Sequence, residues 1–154
     1  MTCWLFSSKN LENLKILKER LIWGFWDLWI GNKTRKRARE FNRLYQSIKP
    51  FDIAVFQIAS TGEIHAIGII KEKFIDYETP VWPIEIESNK VLLPYRISFK
   101  FVIFSEKPVV RYFVKIENYL DVFGIGKLPE HEARTILQYF SNFKGNLEFY
   151  FSSE

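Results

Sequence analysis

The chain has 154 residues, with 22 Lys+Arg against 18 Asp+Glu and a formal net charge of +4, and a single domain over 1–154 is the natural reading at that size. Apolar residues make up 47% and aromatics 18%, which excludes a disordered chain and leaves rings to spare beyond a core. The modest positive charge favours an anionic partner.

The chain opens on Met1-Thr2-Cys3-Trp4, without the basic start of a signal peptide. No run of about 18 uncharged apolar residues offers a membrane span. Cys3 is the one cysteine, so no disulfide framework is available and a reducing, cytoplasmic setting is expected. With two histidines, His65 and His131, far apart in sequence, a zinc site of the usual nitrogen and sulfur type has no material. No metal and no cofactor are expected.

Residues 2–7 read as a buried strand with Trp4 in the core. Asn10 caps a helix whose Leu11, Leu14, Leu17 and Leu21 share a face. The aromatic segment 22–31 carries glycines at 24 and 31 and reads as a loop or irregular turn. A basic helix follows from Lys33, with Ala38, Phe41, Leu44, Tyr45 and Ile48 on one face and Lys33, Arg35, Lys36, Arg37, Arg39 and Arg43 on the rest. Pro50 ends it by Lys49.

Residues 52–59 and 63–71 form a hairpin around Ser60-Thr61-Gly62. Gly68 marks a bulge or a close backbone approach. Residues 76–83 are a loop carrying Trp82. Residues 84–87 and 91–104 read as strands around a Ser88-Asn89 turn, and 109–116 as another strand. Pro129 opens a last helix to Phe140, and 147–151 close the chain as a strand. Consecutive strands, rather than strands alternating with helices, give an α+β fold: a curved sheet or small pseudo-barrel flanked by two or three helices.

The opening Trp4-Leu5-Phe6, Glu12-Asn13-Leu14 and Ile22-Trp23-Gly24 resembles the start of EVE domains and is similar to that of YTH domains, both in the PUA-like group of nucleic-acid readers. The spacing from Asn13 to Trp23 is that of the YTH pattern. The hairpin with Thr61-Gly62 at its turn resembles the YTH layout. Pro94-Tyr95-Arg96 and Gly126-Lys127-Leu128-Pro129-Glu130 resemble later EVE segments.

The resemblance implies a binding module, not an enzyme, that flips a modified, methylated base into an aromatic cage. It places Trp23, Gly24, Trp26, Trp82, Asn13, Ser7 and Leu93 at the base pocket. Lys9 and Gly24 stand where YTH domains carry an Asn and a Ser, which leaves the identity of the base open. The basic run Lys33, Arg35, Lys36, Arg37, Arg39 and Arg43, with Arg96, is the expected phosphate contact.

Modified DNA is the favoured partner, as in the DNA-targeting domain of an McrB-type restriction system with a nuclease or NTPase partner. A stand-alone RNA-binding EVE protein is the alternative. Two readings come from other classes. One is a small nucleotide-acting enzyme using Asp76, Glu78 or His65; the other is a protein adaptor using the tryptophan-rich segment as an apolar patch.

Overall fold

A computed structural model describes residues 1–27, 35–111, 119–120 and 123–153. The elements run β1 (Cys3–Ser8), α1 (Leu11–Arg20), β2 (Ile22–Phe25), α2 (Arg35–Ser47), β3 (Ile53–Ile58), β4 (Glu63–Ile75), α3 (Pro83–Ser88), β5 (Tyr95–Phe104), β6 (Val110–Arg111), β7 (Ile125–Lys127), α4 (Glu130–Ser141) and β8 (Glu148–Phe151). The eight strands form one sheet in the order β2-β5-β4-β3-β1-β7, with β6 on β4 and β8 on β5. Among the described residues only β1 and β3 pair in parallel, because the chain between them crosses over through α1, β2 and α2. The α+β class and curled sheet match the expectation; four helices flank it among the described residues, where two or three were expected.

One buried acid, Asp52, pins the end of the crossover. Trp4 Nε1 donates to Asp52 Oδ2 at 3.0 Å, and the backbone N–H groups of Thr2 and Lys49 also donate to that carboxylate at 3.0 Å. Both β1 and β3 therefore begin at a fixed register, Cys3 against Ile53.

Two layers of core sit on the two faces of the sheet. The larger gathers Trp4, Phe6, Phe25, Phe56, Phe99 and Phe104 with the apolar faces of α1 and α2. The smaller, around Leu5, Val55, Ile64 and Ile67, is covered by Ala133, Ile136 and Phe140 of α4. Gly68 proves to be a close approach: a Cβ there would stand 2.8 Å from the Phe99 ring.

Three local readings need correction. Ile22–Phe25 is a strand, not a loop, and pairs antiparallel with β5 from Ile22↔Ser98 to Phe25↔Tyr95. Leu21 ends α1 in the left-handed conformation at φ 54°, its N–H held by the Leu17 carbonyl at 2.9 Å, so the chain reverses without a glycine. Residues 84–87 are the helix α3, not a strand. Pro83 presets its first turn and Glu85 caps it, while Ile84 and Ile86, which mimic strand alternation, face solvent at 45% and 64% exposure. The long strand expected from residue 91 begins at Tyr95, because 91–94 is drawn onto Glu85 instead.

Candidate functional site

Asn10 sets the first wall. Its Oδ1 accepts the Asn13 N–H at 2.8 Å and starts α1, which leaves the Asn13 side chain half-buried and without a hydrogen bond among the described residues. The end of β1 sets the floor. Ser7 N–H donates to the Gly124 carbonyl at 2.9 Å. Its Oγ accepts from Gln57 Nε2 at 3.1 Å and contacts the Tyr119 hydroxyl. Gly124 sits at φ +66°, and a Cβ there would lie 2.7 Å from the Ser7 carbonyl oxygen, so no side chain fits.

A buried ion pair sets the opposite wall. The Glu85 carboxylate is fully buried. One oxygen accepts the N–H groups of Val81 at 2.8 Å and Trp82 at 3.3 Å; the other accepts those of Leu92 at 2.8 Å and Leu93 at 2.9 Å. Arg96 answers its charge at 3.3 Å. The guanidinium also donates to the carbonyls of Thr79 at 2.7 Å and Leu93 at 3.0 Å, pairs with Asp76 at 3.2 Å, and stacks 5.2 Å from the Trp82 ring centre. Backbone N–H groups of Glu78 and Thr79, with Arg96 behind them, hold the Asp76 carboxyl below the ordinary carboxylate range. This clamp draws the segments bearing Trp82 and Leu93 onto β2.

Between these walls opens a cavity of about 690 Å³ lined by Ser7, Asn13, Trp23, Gly24, Trp26, Trp82 and Leu93, with Lys9, Glu12, Ile84 and Glu87 among the residues at its exposed margin. The volume is that of a small-molecule site. Trp23 and Trp82 meet edge to face, centroids 6.2 Å apart at 88°. They are 5% and 1% exposed, whereas Trp26 is 39% exposed. Trp82 Nε1 is buried with no hydrogen-bond partner among the described residues, so the wall holds an uncommitted donor.

All seven residues expected at the pocket thus border one cavity. Lys9, which stands where YTH domains carry a second Asn, borders it too, as do Glu12, Ile84, Glu87, Phe123 and Gly124, which the sequence reading does not single out. Gly124 carried a weak signal, as a glycine after Phe123 outside any regular element; the others carried none.

The basic residues divide. Lys36, Arg37 and Arg39 are exposed on α2. Arg43 is exposed but paired with Glu40 at 3.0 Å. Lys33 and the Arg35 side chain lie outside the described residues. Arg96 is corrected: at 1% exposure and in the ion pairs above, it is a structural clamp and cannot meet a phosphate. The helix reaches the cavity through one ring contact, Phe41 of α2 stacked on the cavity-lining Phe123 at 4.2 Å and 12°. Of Asp76, Glu78 and His65, the acid–base groups of the enzyme reading, His65 stands apart, buried with Nδ1 on the Ser105 carbonyl at 2.9 Å, while the Asp76 carboxyl accepts the Glu78 N–H at 2.8 Å, pairs with Arg96 and borders no part of this cavity. Among the described residues no helix is long and apolar enough to cross a membrane.

No family model matches the chain. A relative named Uncharacterized protein MJ1369, from Methanocaldococcus jannaschii, is 53% identical over 140 residues, 91% of this chain and 90% of that protein. The chain belongs to that protein's family. Among solved structures, the apo YTH domain of the Toxoplasma CPSF4 protein superposes with TM-score 0.55 at 10% identity, covering 94% of this chain and 88% of that one. The fold is therefore YTH-like. The YTH domain of Zygosaccharomyces rouxii MRB1 protein, solved in complex with N6-methyladenosine RNA, stands further off at TM-score 0.47 and 10% identity, covering 96% of this chain and 88% of that one.

Proposed function

We propose that this protein is a nucleic-acid reader that accepts one modified, methylated base in the cavity between Trp23, Trp26 and Trp82. The observation that carries the reading is the cavity itself: three indoles and the half-buried, uncommitted Asn13 amide around about 690 Å³ of space, on a YTH-like fold. Extruding a base costs a few kcal/mol of stacking and pairing. Aromatic stacking returns about 1–3 kcal/mol, and burying a methyl group adds about 0.8 kcal/mol. The balance is close enough for a methyl group to decide occupancy. Lys36, Arg37 and Arg39 are the proposed phosphate contacts, on the helix that reaches the cavity through Phe41 and Phe123.

The test is direct binding of the full chain to matched oligonucleotides, methylated and plain, as single-stranded RNA and duplex DNA, at two salt concentrations. Tighter binding of one methylated species than its plain counterpart supports the reading. Equal affinity for every methylated and plain pair ends it. The finer reading, a DNA-targeting module of an McrB-type system with a nuclease or NTPase partner, requires methylated duplex DNA to bind more tightly than methylated RNA; the reverse order identifies an RNA reader.

A further inference from the structure

The last strand leaves an edge open. β8 pairs with β5 alone, in the register Phe101↔Phe151, Val102↔Tyr150, Ile103↔Phe149 and Phe104↔Glu148. Ser152 N–H donates to the Lys100 carbonyl at 2.9 Å. Antiparallel ladders alternate, so the backbone groups of Ser152, Tyr150 and Glu148 face β5, and those of Phe149 and Phe151 face away. No strand among the described residues covers that side.

The side chains repeat the message. Phe149 is 55% exposed and Phe151 is 70% exposed. Both lean on Phe101, with ring centres at 6.1 Å and 4.7 Å. The devices that usually guard an edge are a short strand, a charged side chain, a proline, a bulge or a covering element; β8 has the first, at four residues, and limits any pairing to the outward groups of Phe149 and Phe151. No lysine, proline or bulge lies in Glu148–Phe151, and its one charge, Glu148, is drawn to Lys18 of α1 at 3.6 Å.

From this edge we infer that two copies of the chain associate through β8, antiparallel about a twofold axis at Tyr150. That register sets Phe149 opposite Phe151 of the second copy, and Phe151 opposite its Phe149. Both residues carry outward backbone groups, so each pair closes two hydrogen bonds. All four rings fall on one face, as aromatic cross-strand pairs. Glu148 meets Ser152 rather than a second Glu148, so no like charges oppose each other. A twofold interface needs such self-complementarity. With about 200 Å² per aromatic side chain, the two exposed rings would bury roughly 500 Å² over both copies. That falls short of the about 1,000 Å² of a stable interface, so the dimer is weak and concentration-dependent. The inference is independent of what the cavity binds.

The test is analytical ultracentrifugation of the full chain over a concentration series, with amide hydrogen exchange at the two ends of that series. The expected result is a reversible monomer–dimer equilibrium. Protection of the Phe149 and Phe151 amides rises at least tenfold with concentration, while the Tyr150 amide, already bonded to β5, does not change. Phe151→Pro removes an outward N–H without touching the β5 ladder and raises the dissociation constant tenfold or more. A chain monomeric at every concentration overturns the inference. So does a dimer that leaves those two amides unprotected, or a monomer whose Phe149→Ala/Phe151→Ala variant loses nucleic-acid affinity, which would make the rings a stacking surface.

Discussion

Gly24 and Trp82 are packed so closely that a Cβ on Gly24 would stand 2.5 Å from Cη2 of the indole and 3.1 Å from Leu93 Cβ. The glycine is what allows the α3 segment to press Trp82 against β2. Gly24→Ala is therefore expected to displace Trp82, destabilising the fold by about 1–3 kcal/mol as overpacking does, and to reshape the cavity. Urea denaturation and base-preference binding, measured together, check this. Unchanged stability with unchanged binding would show that the indole moves aside freely.

Trp26 offers the cleaner probe of the cage. Trp23 packs on Phe56 at 5.4 Å, so truncating it removes core as well as wall, at about 3–5 kcal/mol. Trp26, 39% exposed at the mouth, carries no such burden. Trp26→Ala should cost less stability than truncation of the buried Trp23 and weaken binding of the preferred methylated oligonucleotide by about 1–3 kcal/mol, the worth of one stacked base. Retained affinity in the folded variant would remove Trp26 from the cage.

The sequence disclosed the pocket better than the elements that carry it. Trp23-Gly24 is legible because its spacing from Asn13 resembles the YTH pattern, whether or not a strand is recognised there. The strand itself was hidden: Ile22–Phe25 is four residues long, and its partner Tyr95–Ser98 lies some seventy positions away. Alternating Ile84 and Ile86 imitated a strand because a helix of six residues is too short to display its period. Arg96 was misread for a reason no local pattern can repair. A buried arginine and an exposed one look alike until Glu85 is placed beside it by tertiary folding.

Lys36, Arg37 and Arg39 face solvent on α2. Replacing all three with Gln should weaken binding of methylated and plain oligonucleotides alike, preserving their ratio. Each phosphate contact contributes about 0.9 to the salt slope on duplex DNA and about 0.7 on single strands, so the slope should fall by roughly 2–3. Affinity titrations between low and moderate salt measure it. A slope that does not move would assign the phosphates to another face.

Arg96 should behave as a clamp. Arg96→Lys keeps a positive charge but loses donors to Thr79 and Leu93; Arg96→Met leaves Glu85 buried without its counter-charge. Breaking a buried pair costs about 3–5 kcal/mol, and the Met variant should show a loss of that size in denaturant unfolding. Where the Lys variant is still folded, its salt slope should equal that of the parent chain. A slope lowered by Arg96→Lys at full stability would restore a phosphate role.

Tyr45 gives the fold an alkaline limit. Its hydroxyl shares one proton between the carbonyls of Phe74 at 3.0 Å and Arg96 at 2.6 Å. Burial pushes the phenol well above the ordinary tyrosine range; Tyr95 lies 5.7 Å away and the Lys73 ammonium 5.7 Å over the ring. A group whose folded value is raised contributes stability that is complete below its unfolded value, about 10 for tyrosine, and is lost as pH rises beyond it. Unfolding free energies measured from pH 8 to 11 should therefore fall above about 10. Tyr77, Tyr150 and Lys18 are also raised, so they contribute a background common to variant and parent. Tyr45→Phe isolates the remainder: it should cost about 1 kcal/mol at neutral pH through the lost hydrogen bond, with a deficit that shrinks above pH 10 as the parent weakens. Curves that stay parallel across that window would mean that Tyr45 ionises in the folded chain as readily as in the unfolded one.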